Sequence, residues 1–163
     1  VDRYTERMLG GRLDDDSAMI RRGSGEIKIE RTEILVGGIA TQKVRTGETV
    51  TLRLHYRTTE PVARPIFSIQ IENVQGVTVT APCTRDVGLV PQSLAGAGKV
   101  DVTIPMIPLL PGPYTIHTEV TGFHRSHTFD HIQNALRFDV VTGTSNETEG
   151  IVTMAPIWEL GQP

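Results

Sequence analysis

The sequence has little cysteine, little net charge and no long apolar run. Its one cysteine, Cys83, excludes an internal disulfide and fits a reducing compartment. Its 16 basic and 19 acidic residues give a net charge of −3, with no basic run beyond Arg21 and Arg22. This balance argues against nucleic acid or an anionic membrane as the partner. No apolar run has the length of a membrane-spanning helix. The chain of 163 residues is long enough for one domain with its own core.

A nucleotide site is also missing from the sequence. Residues 96–99, Gly-Ala-Gly-Lys, resemble the end of a phosphate-binding loop. However, Val100 stands where a hydroxyl would bind Mg²⁺, and Ser93 stands where the first glycine belongs. We interpret residues 96–99 as a hairpin turn and predict no ATP site and no cofactor.

Catalytic and metal-binding patterns are weak. No Gly-x-Ser-x-Gly elbow occurs, and Cys83 is interpreted as a packed strand end. A glycosidase needs two carboxylates about 5–9.5 Å apart, and spacing alone does not bring Glu119 and Asp139 together. We therefore expect a protein that is not an enzyme, with no catalytic residues.

The one candidate metal cluster consists of three histidines and Asp130. Imidazole and carboxylate groups ligate Zn²⁺, and a helix would place the histidines on one face. Thr128 and Phe129 favour an extended chain, which scatters them. We predict no metal site at His124, His127 and His131.

The first part of the chain differs from the rest. Residues 1–9 have the pattern of a short amphipathic helix, and residues 14–16 are an acidic run. Glycines at 23 and 25 then precede a change to a period of two. We predict an arm or linker at residues 1–24 and one β domain at residues 25–160.

From Glu26 onward, apolar and polar residues alternate in short segments that are separated by glycine- and proline-rich turns. This period of two indicates half-buried strands with one wet face. Residues 105–113 contain four prolines, so they are predicted to cross between sheets. The pattern predicts an all-β, antiparallel β-sandwich of the immunoglobulin-like type, with strands at residues 27–30, 50–57, 66–72, 77–79, 100–104, 114–121 and 136–140.

Several short motifs follow one another in order along the chain. They are GSGEIKI at 23–29, RTGE at 45–48, LRLHYR at 52–57, PV at 61–62, PIFSI at 65–69, IP at 104–105, LLPGPY at 109–114, DHIQNALRFDV at 130–140 and PIWE at 156–159. Together they resemble a known family, the C-terminal carbohydrate-binding domain of Wzt, the nucleotide-binding subunit of bacterial O-antigen polysaccharide ABC exporters. The resemblance extends from about Gly23 to Glu159.

The resemblance implies an immunoglobulin-like sandwich that recognises a finished O-polysaccharide in the cytoplasm, often through its modified non-reducing end. It also implies an ATP-binding domain earlier in the same chain, with residues 1–22 as the connection. The further partners would be a second copy, in a homodimer, and the membrane subunit of the exporter at the inner-membrane face. The sugar-contacting residues of the family vary with the glycan, so the resemblance assigns none here.

The glycan site is predicted from strand geometry. If the strands at 66–72, 114–121 and 136–141 are neighbours, their outward side chains form one polar groove that suits sugar hydroxyls. An ordinary solvated face with cross-strand ion pairs is the alternative. Phe123 is placed to stack on a sugar ring, or else it caps the core. The candidate carbohydrate-binding residues are Ser68, Gln70, His117, Glu119, Arg137 and Phe123. If this face is wrong, the opposite sheet with Arg53, His55 and Arg57 is the second candidate.

Two functional alternatives stay open. The domain either binds glycan or acts as a protein–protein assembly module through a sheet face or edge. The expected homodimer forms through the segment after residues 142–144, which is predicted to be a flexible linker. Residues 151–158 that follow it are apolar enough to dock on a partner. Trp158 is expected to pack this C-terminal segment onto the sandwich of the same domain rather than to bind sugar.

Overall fold

The computed structural model describes residues 18–162. The predicted helix at residues 1–9 and the acidic run at 14–16 lie outside this part. Apart from a four-residue 3-10 helix, Thr84–Val87, the regular elements are strands. No helix in residues 18–162 is long and apolar enough to span a membrane. The strands are β1 (Ile20–Arg22), β2 (Ile27–Val36), β3 (Ile39–Ala40), β4 (Lys43–Arg45), β5 (Val50–Thr58), β6 (Val62–Ala63), β7 (Ile66–Asn73), β8 (Thr78–Thr80), β9 (Ser93–Leu94), β10 (Ala97–Ile104), β11 (Gly112–Thr121) and β12 (Thr128–Val141).

Two sheets form the sandwich, which confirms the predicted all-β class. The six-stranded sheet has the order β1-β12-β11-β7-β8, with β4 added in parallel beside the end of β12. The four-stranded sheet has the order β10-β5-β2-β3. Apart from β4, the pairs in these sheets are antiparallel. A small β6-β9 pair lies beside them. The order β7-β11-β12 places side by side the three strands that the sequence analysis required to be neighbours.

The core lies between the sheets because each strand buries alternate residues. In β5, Leu52, Leu54 and Tyr56 are buried while the residues between them are partly exposed. Aromatic rings join the layers at Tyr56 and Phe67, whose centroids are 5.5 Å apart. Burying a large apolar side chain contributes about 1.5–3 kcal/mol. Hydrophobic burial is therefore the main source of stability, and the alternation decides which side chains remain outside.

Of the connections predicted from proline and glycine residues, one agrees with the structure and one differs from it. Residues 105–111 cross from β10 in one sheet to β11 in the other, as predicted, and they bury Ile107, Leu109 and Leu110. Residues 142–144 are exposed but held by backbone contacts with the segment after β4, which differs from the expected flexible linker. The Thr144 N–H donates to the Thr46 carbonyl at 3.0 Å, and a Cβ at Gly143 would come within 2.1 Å of the same oxygen. The absence of a side chain at Gly143 therefore permits this close contact.

Residues 97–99 also differ from their prediction. They begin β10 rather than form a hairpin turn, and Gly98 lies opposite Tyr56. A Cβ at Gly98 would come within 2.5 Å of the Tyr56 hydroxyl oxygen. This glycine therefore serves the packing of a core tyrosine, and it does not shape a phosphate loop.

Strand β1, within the segment assigned from sequence to the arm, is attached through the buried carboxylate of Asp130. Its Oδ2 accepts the Ile29 N–H at 2.7 Å, and its Oδ1 accepts Arg21 Nε at 3.0 Å. The Arg21 guanidinium also donates to the Ile29 carbonyl. Burial raises the pKa of Asp130, while these donors act in the opposite direction. One carboxylate thus connects β1, β12 and β2 across the edge of the sandwich.

Replacement of Asp130 by alanine should lower the free energy of unfolding by about 2–3 kcal/mol, because the buried Ile29 N–H and Arg21 lose their acceptor. Urea denaturation monitored by circular dichroism measures this change. Asp139→Ala is the matched control, since Asp139 is an exposed carboxylate on the same strand, and it should change stability by less than about 0.5 kcal/mol. Equal effects of both substitutions would contradict this account of Asp130.

Candidate functional site

The predicted sugar-binding residues share the outer face of the six-stranded sheet. His117 on β11 lies opposite Gln70 on β7, and Glu119 lies opposite Ser68. Arg137 on β12 lies opposite Thr115, two residues before His117 on β11. The strands therefore bring these five residues onto one face, but they differ in accessibility.

His117 points outward from β11 but is covered, with 8% of its surface exposed. In β12, Leu136 pairs with Ile116 and Ile132 pairs with Thr118, so residues 133–135 bulge opposite His117. The imidazole Nδ1 accepts the Asn134 N–H at 2.9 Å, and Nε2 lies 3.1 Å from Glu72 Oε1. This arrangement fits the tautomer that carries its proton on Nε2. His117 is thus a structural residue beneath the bulge, and the expectation that it is exposed is wrong.

A transverse row of polar residues crosses this face next to His117. Register places Arg22 opposite His131, His131 opposite Glu119, and Glu119 opposite Ser68. Burial lowers the pKa of His131 and thus favours its neutral form. Sequence analysis considered His131 only as a metal ligand. His131 belongs to this row because of the bulge, and no local sequence pattern predicts that bulge.

Three buried polar atoms near this row have no hydrogen-bond partner within the described chain. They are Ser68 Oγ, Thr121 Oγ1 and His131 Nδ1, and a fourth such atom, Thr118 Oγ1, lies at an inward position of β11. Such atoms are uncommon in folded proteins because each costs about 1–3 kcal/mol when it is buried without a partner. Three of the four unpartnered atoms share one outward face, which therefore has unused hydrogen-bonding groups beneath its surface.

Phe123 lies in the loop between β11 and β12, and it is half-buried. The guanidinium carbon of Arg64 lies 3.6 Å from the ring centroid, and that of Arg85 lies 4.5 Å from it. A third arginine, Arg125, lies 4.0 Å from Glu119. Sequence analysis missed these arginines because they come from three separate loops. The Phe123 ring thus contacts two guanidinium groups, and the stacking of this ring on a sugar stays a prediction.

The outer face of the four-stranded sheet is different, because its charged groups pair with one another. Arg53 binds Asp101 in a bidentate pair at 2.8 and 3.0 Å. His55 lies 2.8 Å from Glu33. A shallow groove of about 490 Å³ crosses this face, and its lining includes Arg57 and Lys99. Arg57 is itself paired with Glu30 at 2.9 Å. A ligand in this groove would compete with ion pairs that already exist.

The histidines considered as metal ligands have other contacts. His127 lies 2.7 Å from Ser24 Oγ, and His124 packs edge-on against Phe123 with ring centroids 5.2 Å apart. Within residues 18–162, no group of three or more His, Cys, Asp or Glu side chains has a geometry that could hold a metal ion. Cys83 is half-buried at a bridge to Ser68.

Comparison with known proteins decides the family. The Wzt C-terminal domain family matches residues 19–154, which is most of the chain. The chain belongs to the Wzt C-terminal domain family. It is thus a Wzt-like carbohydrate-binding domain rather than a catalytic one. No curated protein matches it by sequence.

Solved structures support the same fold. The crystal structure of the C-terminal domain of Wzt superposes with a TM-score of 0.77 at 14% identity, covering 86% of this chain and 87% of that one. A Niemann-Pick type C2 protein from the Japanese carpenter ant gives a TM-score of 0.51 at 12% identity, covering 76% and 99%. At such low identity these likenesses describe the backbone. Any ligand contacts of this Wzt-type domain must be argued from its own side chains.

His117→Ala should destabilise this Wzt-type domain by about 1–3 kcal/mol, because the Asn134 N–H loses its imidazole acceptor at a buried site. Arg137→Ala is the control on the same face, since Arg137 is exposed, and it should change stability by less than about 0.5 kcal/mol. Thermal and urea unfolding of both variants test this difference. An unchanged His117→Ala variant would show that the bulge does not need the imidazole.

Proposed function

We propose that this domain binds an O-antigen polysaccharide, through its modified non-reducing end, on the outer face of the six-stranded sheet. Membership of the Wzt family supports a glycan as the ligand. The observation that favours this face is its set of unpartnered atoms, Ser68 Oγ, Thr121 Oγ1 and His131 Nδ1. On the opposite sheet, by contrast, the charged side chains bind each other.

The chemistry of this face suits sugar hydroxyls, each of which can donate and accept a hydrogen bond. Gln70 donates its amide to Thr78 at 2.7 Å, which orients the amide oxygen as an acceptor. Glu119 supplies a carboxylate, and Arg137 supplies an exposed guanidinium with no ion pair in residues 18–162. The three unpartnered atoms each expose less than 1 Å². A sugar therefore reaches them only after the side chains that cover them move aside.

The family context extends the proposal to export. The domain would follow an ATP-binding domain in the same chain and act in the cytoplasm, at the inner-membrane face. There it would couple the finished polysaccharide to the membrane subunit of an ABC exporter. This proposal rests on the family alone, and the glycan contacts described above are independent of it.

Glycan binding should weaken about tenfold when either Arg137→Ala or Glu119→Ala is introduced, because each removes a polar group that would contact sugar hydroxyls. The parent affinity should lie between about 1 mM and 1 μM, since the face is shallow and water competes. Calorimetric titration with purified O-polysaccharide from the encoding bacterium measures these affinities.

Arg57→Ala on the opposite sheet is the control for this titration, and it should bind like the parent. If Arg57→Ala were the only variant that lost binding, the glycan site would lie on the four-stranded sheet. If the parent itself does not bind the polysaccharide, the glycan proposal fails and the assembly function remains.

A homodimer is the second part of the proposal, and the C-terminal segment supports it. Residues 151–153 are held on the domain by a bond from the Thr153 N–H to the Pro108 carbonyl at 2.8 Å and by a bridge between Leu109 and Val152. Beyond them, the apolar side chains are 85–94% exposed, which contradicts the expectation that Trp158 packs onto its own sandwich. Such a cluster of exposed apolar residues favours association. It consists of Met154, Ile157, Trp158 and Leu160.

Truncation after Ala155 should convert the dimer to a monomer and leave the midpoint of thermal unfolding nearly unchanged. It removes three of the exposed apolar side chains but keeps the anchor of Thr153 on Pro108. Light scattering of the parent and the truncated protein at equal, high concentration tests this. A monomeric parent would reject the dimer, and an unchanged dimer after truncation would place its interface elsewhere.

A further inference from the structure

Three arginines converge at one end of the proposed glycan face. Arg64 follows β6, Arg85 lies in the 3-10 helix, and Arg125 lies in the loop between β11 and β12. Arg64 and Arg85 both contact the Phe123 ring, at 3.6 and 4.5 Å from its centroid. Their guanidinium carbons are therefore no more than about 8 Å apart, a distance at which like charges repel.

Two acidic groups offset part of this charge. Glu119 lies at the limit of an ion pair with Arg125, at 4.0 Å. The Cys83 N–H, which Asp86 Oδ2 accepts at 2.9 Å, lowers the pKa of Asp86 and keeps this carboxylate ionised, and its charge attracts Arg125. Within residues 18–162, neither Arg64 nor Arg85 forms an ion pair. Three arginines against two carboxylates leave an excess of positive charge, and the guanidinium groups of Arg64 and Arg85 are free to pair with an external anion.

The backbone holds two of these arginines in conformations that side-chain-bearing residues rarely adopt. The φ angles are 49° at Arg64 and 60° at Arg125. Each residue is held by a backbone bond, from the Arg64 N–H to Gln92 at 3.2 Å and from the Arg125 N–H to Gly122 at 2.8 Å. Strained residues of this kind concentrate at ligand sites, where the surrounding structure compensates for their cost.

We infer that Arg64, Arg85 and Arg125 bind an anionic substituent of the glycan, a carboxylate or a phosphate. Guanidinium groups bind both anions through paired N–H donors. Phe123 is the positioning residue, because its ring holds Arg64 and Arg85. Glu119 belongs to the polar row and lies 4.0 Å from Arg125. One end of a glycan bound on this face would therefore reach the arginine cluster. The inference rests on the proposed function and specifies the class of sugar recognised.

Titrations followed by NMR of the ¹⁵N-labelled domain test the inference, with glucuronate, mannose 6-phosphate, mannose and inorganic phosphate as probes. Both anionic sugars should bind at least about fivefold more tightly than mannose at low salt, and the preference should shrink as salt screens the charges. The double variant Arg64→Gln/Arg85→Gln should lose the preference. The control Arg31→Gln/Arg57→Gln removes the same charge from the opposite sheet and should retain it. Phe123→Leu should reduce the preference while all three arginines remain.

The outcomes separate this inference from the proposed function. Equal binding of mannose and the anionic sugars, or no binding of either, overturns the anion site, whereas binding of the O-polysaccharide would still support the glycan face. Inorganic phosphate binding as tightly as mannose 6-phosphate would show an anion site that does not recognise sugar, which also overturns the inference. If the variant Arg64→Gln/Arg85→Gln still prefers anionic sugars over mannose, anion recognition lies elsewhere, and this result also overturns the inference.

Discussion

The bulge at residues 133–135 is the constraint on which the outer face depends. Between the pairs Ile116–Leu136 and Thr118–Ile132, β11 advances two residues while β12 advances four. β12 therefore has two extra residues in the bulge. Because two is an even number, its side chains keep the same inward and outward alternation before and after the bulge. An excess of one residue would exchange the two faces and place Phe138 or Ile132 in water. Because the excess is two, His131 points outward beside Glu119, and His117 lies under the displaced backbone.

This geometry explains why one face of the sandwich differs chemically from the other. The four-stranded sheet has a register shift between Ile29 and Arg31 where β2 pairs with β5. Its charged side chains nevertheless pair across strands, as in Arg53 with Asp101. On the six-stranded sheet, the bulge and the long connection over residues 81–94 cover polar atoms without providing partners. Backbone groups along that connection are satisfied by specific contacts, such as Phe67 N–H to Thr84 Oγ1 at 3.1 Å. Three of the four unpartnered side-chain atoms lie on this face, and the fourth, Thr118 Oγ1, faces inward from the same sheet.

The candidate site was predictable from the sequence only in outline. Alternation placed Ser68, Gln70 and Glu119 on outward positions, and the strand order made them neighbours. The alternation did not predict that His117 is covered, because a period of two indicates the direction of a side chain but not its burial. It also missed Arg64 and Arg85, because the contact of each with Phe123 joins loops that are far apart in the chain.

The sequence by itself determined the sandwich. Half-buried strands require a period of two, and the turn residues and the proline-rich crossing separate the strands into two layers. The short motifs determined the family in the same way, since they are local. Only the tertiary structure decided the row through His131 and Glu119, the close backbone contact at Gly143 and the arginine cluster. These depend on register, on bulges and on loops that meet in space, and contacts between distant segments leave no periodic pattern along the chain.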